Sequence, residues 1–307
     1  MTIPPELRGR LPEMKSLLKG FSDLQANVDS PEATQVKSLL STLPPEKYKS
    51  AIEEIGLAGN YIHGTHVAGI AIAGNPYARL ATARIEFDWH LAPDPCPTRE
   101  LVMQGAKNTR AYVDFFRKHK VRVVNMSWGG SVASYEEALE QCGIGKSPQE
   151  RKRIAREYFN IGRDALTRAI RAAPEILFVA ASGNENSDST FAESIPAAID
   201  APNLLTVGAV DRAGDEASFT SYGKTVVAHA NGYQVDSVIP GGEKLAESGT
   251  SMAAPQATNL AAKMLAVNPK LKPAQIIAII RDTVETTPDG RRMLLHPAKA
   301  VAAVQGR

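Results

Sequence analysis

Apolar positions follow two regimes along the chain. Leu7, Leu11, Met14, Leu18 and Phe21 recur at three- and four-residue intervals, the period of one helix face. Ser30-Pro31-Glu32 sets a capping hydroxyl ahead of a proline at the first helical position. Val36, Leu39, Leu40 and Leu43 continue a second apolar face. Pro44-Pro45-Glu46 predicts the start of a third helix, ended at Gly56 or Gly59. From Asn60 short apolar runs alternate with helical stretches, which predicts an α/β domain with a parallel sheet. Expected strands are 81–87, 121–126, 176–181, 204–210 and 225–230. Expected helices are 98–119, 135–141, 149–172, 273–284 and 297–304. Gly64, Ala68, Gly69, Ala71 and Ala73 predict a helix of little bulk, suited to lying against other backbone.

Composition narrows the classes. The 307 residues suit one large or two ordinary domains, and 43% apolar content can fill a sizeable core. A net charge of +2 gives no reason to expect nucleic acid or an anionic membrane as partner. No apolar run reaches the roughly 18 residues of a membrane span. Met1-Thr2-Ile3-Pro4-Pro5 does not open like a signal peptide, so localisation stays open, secreted or periplasmic if a leader lies upstream. Cys96 and Cys142 are one disulfide or two free thiols.

Candidate chemistry gathers at Ser248-Gly249-Thr250-Ser251-Met252-Ala253-Ala254-Pro255. Glycine before the serine allows a tight turn, and the small-residue run after it predicts a buried helix. Ser251 then stands near a helix N-terminus, where free N–H groups favour developing negative charge. Pro255 is expected in the first turn, where amides lack intrahelical partners. A bare Gly-x-Ser would read as a capping serine. The full string occurs with His63-Gly64-Thr65-His66-Val67-Ala68-Gly69 and Ala180-Ala181-Ser182-Gly183-Asn184. Asn125-Met126-Ser127-Trp128-Gly129-Gly130 and Ser218-Phe219-Thr220-Ser221-Tyr222-Gly223 lie between. Together, in the order His, Asn, Ser, they resemble the subtilases, the subtilisin-like serine peptidases. The resemblance covers 60–307.

The resemblance implies a subtilisin-like three-layer α/β sandwich with a mostly parallel central sheet flanked by helices. Residues 1–59 would be a helical N-terminal segment or insertion, and 60–307 the peptidase domain lacking its first strand. It implies Ser251 as nucleophile, His63 as its base and Asn184 as side-chain donor to the oxyanion. His66 is expected to pack rather than react, and no zinc pattern is present. Ser127, Trp128 and Gly129 would pair with an extended protein or peptide substrate, with Ala181, Ser182 and Gly183 as the opposite wall. A large apolar residue before the cleaved bond is the expected preference. No cofactor is required. Structural calcium is common in the family, but no carboxylate cluster names its ligands. Oligomeric state is not encoded legibly.

One expected group is missing. The family's aspartate precedes the histidine at a strand end and is followed by Ser-Gly or Thr-Gly. The nearest look-alike, Val28-Asp29-Ser30-Pro31, has proline for glycine and no apolar strand before it, so Asp29 reads as a loop residue. Asp23 has less support still. Either the chain is an incomplete copy, its helical stretch inserted between aspartate and histidine, or it is a weakened or inactive relative acting as a peptide- or protein-binding module. The intact His63, Asn184 and Ser251 favour the first. Serine-carboxyl peptidases are a further rival, opposed by the His63 motif and by Met252.

Overall fold

The computed structural model describes residues 2–85 and 87–305. After a 3-10 turn, Pro5–Arg10, the chain forms α1 (Leu11–Gln25) and α2 (Pro31–Thr42). Ser30 caps α2, its hydroxyl accepting from the Ala33 amide at 3.0 Å. α3 (Pro45–Ile72) is unbroken, so neither Gly56 nor Gly59 ends a helix as expected. A Cβ on Gly56 would come within 3.2 Å of the Trp89 carbonyl, and one on Gly59 within 3.5 Å of Leu18. These glycines let neighbours approach the helix. Their cost in a helix interior, about 1 kcal/mol each, is offset by burial of Ile55, Leu57, Ala58 and Ile62.

The sheet runs in the order β1 (Val123–Met126), β2 (Leu177–Ala181), β3 (Leu204–Val210), β4 (Val226–Asn231), β8 (Met293–Leu294), β7 (Glu285–Thr286). All neighbouring pairs are parallel except β7 with β8. Strand alternation divides its side chains between two cores. Leu177, Val179 and Ala181 face a cluster with Leu205, Val207, Ala257, Leu260 and Ile280. Those last three come from α7 (Thr250–Val267) and α8 (Pro273–Thr283), and α9 (Pro297–Gln305) joins them through Ala300 and Val304. Phe178 and Ala180 face the opposite way, onto Val113 of α4 (Arg99–Lys118) and Leu166, Ala169 and Ile170 of α6 (Pro148–Arg171). Continuous burial of β2 and β3 follows from helices on both faces. This is the three-layer α/β arrangement expected.

The run 81–87 differs from expectation. Residues 81–85 and Phe87 form no strand, and Glu86 lies outside the described residues. None of these described residues pairs with a strand of the sheet. The run is held by Tyr112, whose hydroxyl donates to the Arg84 carbonyl, and by Asn60, whose amide donates to the Phe87 carbonyl. Leu80, Ile85 and Phe87 are left exposed. Two further elements differ from the pattern read along the chain. α5 (Val132–Gln141) begins earlier than its pattern suggests, because Ser131 caps it. β5 (Val235–Val238) and β6 (Lys244–Glu247) form an antiparallel hairpin whose turn uses Gly241 and Gly242 at φ 101° and 88°.

The N-terminal helices sit on this framework. Met14 and Leu17 of α1 are buried against the N-terminal half of α3, and Lys15 pairs with Glu243 of the hairpin at 2.8 Å. Cys96 and Cys142 form a disulfide that ties the approach to α4 to the end of α5. No helix among the described residues is long and apolar enough to cross a membrane.

Candidate active site

The site is assembled where strands end and one helix begins. β1 ends at Met126 and delivers Ser127, while β2 ends at Ala181 and delivers Asn184 three residues on. C-terminal strand ends are the usual place for sites in open α/β sheets. Gly249 caps α7 at φ 156°, in the region that favours glycine. Its amide donates to the Gly232 carbonyl at 2.7 Å, and a Cβ on Gly232 would lie 2.7 Å from the Gly249 carbonyl. Two glycines therefore let the backbones touch and set the helix start.

Asn184 is locked by its oxygen. Oδ1 accepts from the Thr250 amide at 2.9 Å and from Thr250 Oγ1 at 2.8 Å. Thr250 Oγ1 also accepts from the Gly183 amide at 3.2 Å. With Oδ1 doubly bonded, Nδ2 is the face left over, and it lies 3.4 Å from where a Cβ on Gly249 would stand. Among the described residues Nδ2 has no acceptor, and the side chain is exposed. A free amide donor thus sits beside the first turn of α7. Thr250, which no sequence argument singled out, is what aims it.

Ser251 is the second residue of α7 and is half-buried. Its hydroxyl donates to the Ser127 carbonyl at 3.5 Å, and Ser127 Oγ donates back to the Ser251 carbonyl at 2.8 Å. Pro255 explains the second bond. It lies at the sixth helical position, not in the first turn as expected. It has no N–H to give the carbonyl four residues back, which is that of Ser251. Ser127 fills the gap. Ser127, Trp128 and Gly129 line a cleft of about 470 Å³ together with His63 and Met252.

His63 lies in the middle of α3 and faces that cleft. Burial lowers its imidazole to about 4, and neighbouring His66 adds to the effect. Among the described residues the His63 ring makes no hydrogen bond or ion pair, and it is not bonded to Ser251. His66 is fully buried, with Nε2 at 2.9 Å from the Leu245 carbonyl, and its backbone oxygen accepts from Ser237 at 2.7 Å. It packs, as expected. Ala181 and Ser182 are buried, with the Ser182 hydroxyl 3.5 Å from that of Thr220. Ser182 therefore supports the wall from behind, leaving Gly183 at its surface.

Asp29 is exposed in the loop between α1 and α2. Asp23, the candidate with less sequence support, is fully buried. It accepts from Lys19, from Ser30 at 2.6 Å and from Gln234 at 2.8 Å, so it is spent on tethering α1 to the segment before β5. Neither aspartate bonds His63. The acidic residue that does line the cleft is Glu247, at the end of β6. No motif marks it, since its position depends on α1 folding over the hairpin. Burial raises its carboxyl to about 7, against the Ser22 hydroxyl and Lys19, while Asp23 pushes the same way as burial. Among the described residues no group of three His, Cys, Asp or Glu side chains is placed to hold a metal ion.

The geometry has parallels among known proteins. The sequence profile of the Subtilase family matches residues 43–299. Subtilisin Savinase of Lederbergia lenta is 31% identical over 228 residues, 72% of this chain and 69% of that protein. The subtilisin-like serine protease Pen ch 13 of Penicillium rubens is 27% identical over 231 residues, 74% of this chain and 50% of that protein. The chain thus spans about half the length of several curated relatives it matches. The crystal structure of a cold adapted subtilisin-like serine proteinase superposes with a TM-score of 0.52 at 26% identity, covering 78% of this chain and 75% of that one.

Proposed function

The chain belongs to the subtilase family, and on that premise we propose that it hydrolyses peptide bonds as a serine endopeptidase through an acyl-enzyme on Ser251. The observation that carries the proposal is the anchoring of Asn184 Oδ1 by Thr250, which leaves Nδ2 as a donor beside Ser251.

In this reading Ser251 Oγ attacks the scissile carbonyl carbon and its proton passes to His63. The oxyanion accepts from Asn184 Nδ2 and from the Ser251 backbone N–H, which as an early helical amide has no intrahelical partner. His63 then gives its proton to the departing amine as the C–N bond breaks. Water attacks the ester, His63 takes the water's proton, and the C–O bond to Ser251 breaks as the proton returns to Oγ. His63 is well prepared as a base in one respect: with its imidazole lowered to about 4, it is neutral at neutral pH. In another respect it is unprepared, since among the described residues no carboxylate holds its tautomer. Substrate would lie extended along Ser127, Trp128 and Gly129, with Gly183 opposite, and a large apolar residue would fit before the scissile bond.

The unpartnered His63 ring favours a second reading, a weakened or inactive subtilase-like module that binds peptides in the cleft. A fluorophosphonate probe separates the two. Labelling of the folded chain that is lost in Ser251→Ala supports the peptidase. Folded chain that takes no label supports the binding module. Cleavage profiling with a peptide library tests the apolar preference, which basic or acidic residues dominating that position would contradict.

A further inference from the structure

We propose that Glu247 is the acidic end of a second recognition pocket in the cleft and that it receives the cationic side chain of a lysine or arginine residue in the peptide substrate. The proposal rests on the peptidase reading for the word substrate, and on geometry for the rest.

Glu247 is 8% exposed, and its Oε1 is buried with no hydrogen-bond partner. A carboxylate oxygen in that condition is costly, and native structures seldom leave one without a reason. The nearby charges do not settle it. Lys19 is the cation beside Glu247, but its ammonium already bonds Asp23 and Gln234. Asp23 and Glu247 therefore share one cation, Asp23 holds it, and the acid left without its own cation is the one lining the cleft. The same cleft holds His63 and the Ser127 to Gly129 edge, so a peptide paired with that edge passes Glu247.

The walls specify the rest of the ligand. Leu18, Phe21, Ile55, Phe87 and Met252 surround the opening with apolar surface. A lysine or arginine matches such a channel, since its methylene stem covers apolar wall while its head reaches a carboxylate. A neutral side chain would leave Oε1 as it is, and an acidic one would meet like charge. A role as the missing partner of His63 fits less well, because Glu247 makes no hydrogen bond to the His63 ring.

The test uses the full chain carrying Ser251→Ala, so that peptides are bound and not consumed. Two peptide series are compared at pH 8 by calorimetry, alike except that each position in turn holds lysine or its uncharged isostere norleucine. The expected result is one position at which lysine binds about tenfold or more tighter, the scale of a charge-assisted hydrogen bond. Adding Glu247→Gln should bring that ratio close to one. Equal affinities at every position, a lysine preference that survives Glu247→Gln, or no binding of either series at millimolar peptide would overturn the proposal. The ratio with residue 247 unaltered needs no variant there to fold. Fluorophosphonate labelling without a lysine preference sinks the pocket and leaves the peptidase. A lysine preference without labelling sinks the peptidase and leaves the pocket.

Discussion

Replacing Ser127 by alanine should be expensive for a reason that lies in Pro255. Ser127 is 8% exposed, and its hydroxyl donates at 2.8 Å to the Ser251 carbonyl, the acceptor that Pro255 cannot serve. Alanine leaves that carbonyl unpaired, a loss of about 1–3 kcal/mol. It also takes the acceptor from Asn125 Nδ2, which bonds Ser127 Oγ at 2.8 Å. We expect about 2 kcal/mol in total by urea denaturation, and a fall in melting temperature of a few degrees. In a Pro255→Ala background residue 255 has an N–H for the Ser251 carbonyl. Ser127→Ala should then cost about 1 kcal/mol less, a coupling of the size seen between residues sharing one hydrogen-bond network. The four variants form a cycle measured by denaturation alone, independent of any activity. Equal costs of Ser127→Ala in the two backgrounds, within about 0.3 kcal/mol, would refute the link between hydroxyl and proline.

Other consequences are as direct. Below about 4 the His63 imidazole is charged and cannot accept a proton, so the acid limb of kcat/KM should fall near pH 4, not near the 6 to 7 of an ordinary histidine. A limb at 6 to 7 would mean that a carboxylate joins His63 in the active species. Glu247 holds a proton in the folded state up to about 7, while an unfolded glutamate releases it near 4.5. Folding therefore takes up a proton in that window, and stability falls as pH rises through it. Glu247→Gln removes this dependence, so its stability relative to the parent should grow between pH 4.5 and 7, by up to about 3 kcal/mol. Melting curves at the two pH values with an unchanged difference would contradict it. The Cys96–Cys142 bridge spans 46 residues, and opening it should cost up to about 4 kcal/mol through the entropy of the unfolded chain. A double Cys→Ser variant as stable as the oxidised chain would contradict that. Asn184→Ala should lower kcat about 10²–10³-fold with little change in KM, and a change confined to KM would remove Asn184 from the oxyanion site.

Much of the molecule was legible because its determinants are local. Ser30, Thr98 and Ser131 cap helices with their own hydroxyls, so their effect needs no distant partner. The buried run from Leu204 to Val210 reads as a central strand because both its faces are covered, and β3 has those limits. The His63, Asn184 and Ser251 motifs carry the family, since each is a short run of adjacent residues. The sequence by itself thus determined the α/β class and the parallel strands.

What only the tertiary structure decided depends on neighbours far along the chain. Glycines 56 and 59 look like helix stops, and they become contact points because Trp89 and Leu18 press against α3. The apolar run 81–87 looks like a strand, and it is none because a strand exists only through a ladder partner. Asp29 looked the better aspartate and is exposed, while Asp23 is buried because α1 folds onto the segment that carries Gln234. Pro255 looked tolerable for a local reason, and it is tolerated because a hydroxyl from another strand end answers the carbonyl it leaves unpaired. Glu247 carries no motif at all. Its burial, its raised proton affinity and its place in the cleft that His63 also lines arise from α1 folding over the hairpin, and a pattern read along one dimension holds no record of that closure.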